Sequence, residues 1–189
     1  MTGPPPDEDT DQQSADDGNV AQASSPAGPA RLPRTAYKRY LPHLQRDGKP
    51  LFITFATWKR KTLPERVRQL VVDGVVAGHG VRFDLHAAVI MPDHAHILLT
   101  PMSDERGETY GIAQIMHAIK GASAHAVNKS LGRSGRVWQP ESFDHVLRSD
   151  ESIRQKAEYI CANPVRAGLA SHEDEYPWLW REWVEGVAP

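Results

Sequence analysis

The chain has 189 residues, 40% of them apolar, with 22 Lys plus Arg against 24 Asp plus Glu for a formal charge of −2, the profile of one ordinary domain with enough apolar content for one core. The only cysteine is Cys161, which excludes an intramolecular disulfide and a multi-cysteine metal cluster. No apolar run approaches the roughly 18 residues of a membrane span, and the N-terminus lacks a signal peptide's basic and apolar regions, so a soluble cytoplasmic protein is expected.

Charge is unevenly spread. Residues 1–30 carry six acids (Asp7, Glu8, Asp9, Asp11, Asp16 and Asp17), no Lys or Arg, the run Pro4-Pro5-Pro6 and no aromatic residue. Such a segment cannot bury enough surface to offset its ordering entropy, so a disordered acidic tail is expected. The other 18 acids face all 22 bases, a net of +4, which permits a nucleic-acid partner without requiring one. Residues 31–49 form a basic arm: Arg31, Arg34, Lys38, Arg39, Arg46 and Lys49 stand against Asp47 alone, with Tyr37 and Tyr40 interleaved. A solvated arm packing its tyrosines on the domain and an arm tracking nucleic acid both fit.

Residues 51–58 (LFITFATW) are β-branched and aromatic and predict a strand. Residues 63–78 predict a helix, with Pro64 in its first turn and Leu63, Val67, Leu70, Val71 and Val75 along one stripe. Gly78 and Gly80 punctuate its end. Residues 82–91 and 94–100 predict a hairpin around Pro92-Asp93. Residues 110–131 predict a long helix with Ile112, Ile115, Met116, Ile119 and Ser123 on one face. A fourth strand is expected over 136–148, irregular around Pro140. A last helix over 150–163 should stop near Asn163, because the residue before Pro164 disfavours the helical region. The order β-α-β-β-α-β plus one helix is that of an α+β, ferredoxin-like antiparallel sheet with helices on one face. Trp178, Trp180 and Trp183 are expected to staple the C-terminal tail to the domain.

Two constellations carry chemistry. In MPDHAHILLT, His94 and His96 alternate along a strand, so both imidazoles project to one side at a spacing suited to a divalent ion. Surface or hydrogen-bonded histidines are the plainer explanation. A histidine-triad hydrolase would need a third histidine where Leu98 stands, and a two-histidine phosphoesterase would need two separated His-x-Thr/Ser motifs, which do not occur. On the last helix, Tyr159 lies off the stripe of Ile153, Ala157, Ile160 and Cys161, on one flank with Ser152, Lys156 and Asn163. Tyr159 and Asn163 are i and i+4, placing a phenol beside a neutral oxygen donor; a tyrosine at a core edge with Asn163 capping the helix is the alternative. Together, two imidazoles and one amide oxygen form a three-ligand site for Mg²⁺ or Mn²⁺ beside a phosphate. Tyr159 would then serve as a covalent nucleophile.

IMPDHAHILLTP, GRVWQPESFDHVLR and YICANPVRAGL, with RYLPHLQRDGKPLFITF upstream, resemble the signature blocks of the HUH single-tyrosine transposases, closest to the branch associated with repetitive extragenic palindromic (REP) sequences. The similarity spans roughly residues 35–180. It implies a ferredoxin-like catalytic domain over residues 50–189 with a C-terminal extension, a divalent metal, a 5′-phosphotyrosine intermediate, and single-stranded DNA folded into hairpins as substrate. It matches His94 and His96 to the His-hydrophobic-His motif, Tyr159 to the nucleophile and Asn163 to the polar third ligand. Ala95 is smaller than the usual middle hydrophobe, and the acidic tail is foreign to the family pattern. Arg34, Lys38, Arg39, Lys120, Arg148, Lys156 and Arg166 are candidate phosphate contacts, although exposed lysines commonly just face solvent. Trp138 and Phe143 are candidates for base stacking or for core and hinge roles. His117 and His125 lack a second ligand pattern and read as non-catalytic. The expected partner is single-stranded or hairpin DNA, with a nucleoid-associated location, and the chain as monomer or homodimer. A non-catalytic, domesticated binder of genomic palindromes and a water-using metal phosphoesterase are the alternatives.

Overall fold

The computed structural model describes residues 48–148 and 152–182, all within the compact unit spanning residues 40–189. The acidic tail, Arg34, Lys38, Arg39 and Trp183 lie outside the described residues. The strands are β1 (Leu51–Thr57), β2 (Phe83–Ile90), β3 (His94–Pro101), β4 (Trp138–Val146) and β5 (Leu179–Arg181). The helices are α1 (Glu65–Val76), α2 (Ile112–Ser130), α3 (Ile153–Cys161) and the single turn α4 (Asn163–Arg166). The sheet order is β4-β1-β3-β2-β5, with every neighbour antiparallel. This is the expected ferredoxin-like arrangement, in which two split βαβ units interleave, with one strand added at the β2 edge.

Strand alternation divides the sheet into two faces. Leu51, Ile53 and Phe55 of β1 and Ala95, Ile97 and Leu99 of β3 pack under α1 and α2, against Val67, Val71, Val75, Ile115, Ile119 and Val127. A bulge at His86 shifts the β2 register between Leu85 and Ala87. With two residues opposing one there, Leu85, Ala88 and Ile90 join that core, while Ala87 and Val89 turn to the other face. There they meet Leu98, Tyr176 and the underside of α3, made of Ala157, Ile160 and Cys161.

One expectation is corrected. The last helix ends at Cys161 rather than at residue 163, and Asn163 with Pro164 opens the separate turn α4. Proline is tolerated in a first helical turn but not in an interior. The tail packs Trp178 and Trp180 on the domain as expected, and it adds a strand. Trp178 lies against both cores and Trp180 against the first, and between and beside them β5 pairs with β2, covering an edge that would otherwise present unpaired backbone groups.

Candidate active site

His94 and His96 share one side of β3 because their neighbours Ala95 and Ile97 are drawn into the core. Antiparallel pairing sets Thr54 opposite His96 and Ala56 opposite His94. Thr54 Oγ1 is hydrogen-bonded to His96 Nδ1 at 2.7 Å. Asp93 Oδ1 lies 2.6 Å from His94 Nδ1, where the carboxylate accepts the ring N–H. With each Nδ1 committed, Nε2 is the nitrogen each ring presents to a ligand, the arrangement that fixes tautomer and orientation in metal-binding histidines. The two rings stand edge to face, centroids 4.8 Å apart, and Phe52 stacks on His96 at 5.5 Å and 22°. Burial, then the positive charges of His94, Arg166 and Arg60, pushes the His96 imidazolium down to about 4. At neutral pH the ring is therefore uncharged, the form that ligates.

Arg60 reaches this site from the turn after β1. Its Nε lies 3.4 Å from Asp93 Oδ2. Lys59 and Arg60 both hold left-handed backbone angles, φ 56° and 55°, strain of a kind that gathers at functional sites.

Tyr159 is 50% exposed on α3, since the helix spends Ala157, Ile160 and Cys161 on packing. The Arg166 guanidinium lies 4.1 Å from its ring centroid and Lys156 Nζ lies 5.8 Å away. Lys156 Nζ also lies 5.5 Å from the Phe52 ring, the ring stacked on His96. The contacts run Tyr159, Lys156, Phe52, His96 within one chain. Asn163 Nδ2 donates to the carbonyls of Tyr159 and Ile160, both at 3.0 Å, and so caps α3. Its Oδ1 accepts from Arg166 Nη2 at 2.9 Å. An amide oxygen has two lone pairs, and one of them is taken.

Thus His94, His96, Tyr159, Asn163, Lys156 and Arg166 gather on one face. Lys120 does not join them. Its ammonium donates to the carbonyls of Gln139, Pro140 and Glu141 at 3.0, 3.1 and 3.1 Å, clipping α2 to β4, and burial lowers its pKa against the opposing pull of Glu141. Arg148 is exposed just past β4, and His117 and His125 are exposed on α2. Trp138 is a core residue. Its Nε1–H donates to Ser123 Oγ at 2.9 Å and its ring meets Phe55 edge-on. Phe52, Thr54, Arg60 and Asp93 were missed by sequence reasoning. Alternation along β1 already sets Phe52 and Thr54 on the face opposite Leu51, Ile53 and Phe55, and that signal would have found them.

Among the described residues no three His, Cys, Asp or Glu converge as a ligand cluster. The Nε2 atoms of His94 and His96 and the second lone pair of Asn163 could hold a divalent ion that completes its shell with water or phosphate oxygens.

A sequence profile of the family described as "Transposase IS200 like" matches residues 57–163, from the end of β1 through Asn163. The chain belongs to this family. Over 110 residues it is 26% identical to the REP-associated tyrosine transposase of Escherichia coli (strain K12), a stretch covering 57% of this chain and 61% of that relative. The chain thus spans less than two thirds of that relative's length. A solved structure described as a REP-associated tyrosine transposase bound to a REP hairpin shares the fold of this chain, with a TM-score of 0.55 at 23% identity over 77% of this chain and 81% of that one. Among the described residues no helix is long and apolar enough to cross a membrane.

Proposed function

We propose that this IS200-like transposase is a metal-dependent single-stranded DNA endonuclease and strand transferase, cutting beside hairpin or palindromic DNA through a 5′-phosphotyrosine on Tyr159. The observation that carries the reading is the contact path from Tyr159 through Lys156 and Phe52 to His96. An exposed phenol and a histidine pair would otherwise be unrelated surface features. Membership of the family and a relative named as a REP-associated tyrosine transposase support it, and the hairpin in the solved structure of like fold suggests the substrate.

In this reading Tyr159 Oη attacks the scissile phosphorus. The bond from phosphorus to the 3′ oxygen breaks, the phenolic proton is lost, and the departing strand gains one as a free 3′ hydroxyl. Splitting a transfer in two this way makes it reversible: attack by a 3′ hydroxyl on the phosphotyrosine rejoins a strand and restores the phenol. His94 and His96 through Nε2, with Asn163 Oδ1, would hold Mg²⁺ or Mn²⁺, which when bound polarises the scissile phosphate and stabilises the leaving oxygen. Asp93 and Thr54 hold the two imidazoles in orientation. Arg166 and Lys156 flank the tyrosine ring and offer positive charge to the DNA backbone. A location at the nucleoid follows from this substrate.

A denaturing gel with end-labelled hairpin DNA and Mn²⁺ tests the proposal. Wild type should form a covalent protein–DNA band. Tyr159→Phe should bind the DNA and form none, while phenylalanine at Tyr110 or Tyr176 keeps the band. A mobility shift with no cleavage by wild type would instead make the chain a non-catalytic binder of palindromes. Cleavage without an adduct would make it a water-using phosphoesterase.

A further inference from the structure

Phe143 is 59% exposed, more than Tyr159. A lone exposed aromatic carries no meaning in itself; its register does. Thr54 of β1 pairs with Phe143 of β4 on one side and with His96 of β3 on the other. Residues directly opposite in an antiparallel sheet point to the same face. Phe143, Thr54 and His96 therefore form one row across three strands, with Phe143 and His96 roughly 10 Å apart at two strand spacings. The residue between them is small and its hydroxyl is turned to His96. The row is a shallow trough with an aromatic wall at one end and a histidine of the candidate site at the other.

Two further observations favour an occupant. The wall is held firmly, because Lys120 pins the carbonyls of Gln139, Pro140 and Glu141 and Gln139 Nε2 donates to Thr57 O at 3.1 Å. The other end of the trough is cationic: Arg166 lies over the Tyr159 ring and Lys156 overhangs Phe52. An apolar aromatic platform beside clustered positive charge suits a strand that alternates flat bases with anionic phosphates.

We propose that Phe143 is the stacking platform for one unpaired base of a single-stranded DNA segment, the base whose nucleotide adjoins the phosphate held at the His94–His96 end of the trough. The inference rests on the function proposed above and names how that site seats its substrate. Stacking tolerates any base, so Phe143 contributes affinity and position rather than sequence choice.

The test uses the full chain and a labelled hairpin DNA with single-stranded extensions, in which each unpaired position in turn is made abasic. Phe143→Ala should weaken binding about 5- to 150-fold, Phe143→Trp should restore it, and the unfolding midpoint should not move. One abasic position should cost wild type a similar factor and cost Phe143→Ala nothing more. Unchanged binding by Phe143→Ala, equal added losses at every abasic position, or a lowered unfolding midpoint would each overturn the platform. If wild type still forms its tyrosine adduct in those cases, only the platform falls. If wild type neither binds nor reacts with the DNA, platform and function fall together.

Discussion

The two faces of the sheet are made by the same strands and have opposite characters. Under α1 and α2, β1 and β3 contribute Leu51, Ile53, Phe55, Ala95, Ile97 and Leu99 to a closed apolar core. One residue along, the same strands send Phe52, Thr54, His94 and His96 to a face that α3 covers only in part, through Ala157, Ile160 and Cys161 over Ala87, Val89 and Leu98. Polar groups on that open stretch are paired in the plane of the face: Thr54 with His96 and Asp93 with His94. The first face carries the larger of the two apolar cores. The other then holds imidazoles, cations and a half-exposed tyrosine without a large contribution from them to stability.

The sharpest way to break this division is at adjacent positions of β3. His96→Ala should abolish formation of the covalent adduct at a cost to stability of only about 1–2 kcal/mol, from the lost hydrogen bond to half-buried Thr54 and the lost stack on Phe52. Its neighbour Ile97 is fully buried on the other face. Ile97→Ala should cost about 2–5 kcal/mol by loss of burial and creation of a cavity, and the fraction that remains folded should still form the adduct. Denaturant titration and the gel assay, run on both variants, read the two effects separately. An equal loss of stability in both would mean that the faces are not divided as described.

The second contrast sets two lysines against each other. Lys120→Met removes a clip on three backbone carbonyls and should cost about 1–3 kcal/mol for acceptors left under-satisfied, without altering how DNA affinity depends on salt. Lys156→Met should leave stability nearly unchanged and reduce the slope of log affinity against log salt by about one phosphate's worth. The opposite pattern would move the DNA to the α2 side.

These contrasts mark what the sequence could and could not disclose. Alternation along 94–100 and the stripe on 112–123 were enough to place both histidines and the α2 core, because period and burial are local properties. Thr54 and Lys120 were not legible in the same way. Thr54 meets His96 across 42 residues of chain through strand register, and Lys120 meets carbonyls 19 to 21 residues ahead. Nothing local separates such a lysine from a solvated one. Asn163 stands four residues past Tyr159, and capping of the helix was one of the two roles that position allowed. The helix stopping at Cys161 put its amide on the last carbonyls. β5 has three residues, too few for any periodicity to declare itself, although the tryptophans around it were legible as packing residues.

The smallest expected effect concerns the join between the faces. α3 is nine residues long, too short to hold as an isolated helix, so Tyr159 stays in place only while the underside of α3 stays packed. Its N-terminus is capped by Ser152, whose side chain accepts from Gln155 N at a long 3.4 Å, so Ser152→Ala should cost only about 0.5–1 kcal/mol, the lower half of the usual range for caps. Cys161 offers a local readout. It is buried on the underside of α3, and burial pushes its thiol up to about 11, so near pH 8 the native thiolate is scarce and labelling by a thiol reagent requires α3 to lift. Loss of the cap favours lifting, and labelling of Cys161 should speed by about 2- to 5-fold if opening is local and pre-equilibrated. Global stability should fall by no more than the same ~0.5–1 kcal/mol. If labelling instead sped up in step with the loss of global stability across variants such as Ile97→Ala, α3 would open only with the whole sheet. The tyrosine face would then share the fate of the core face rather than move independently of it.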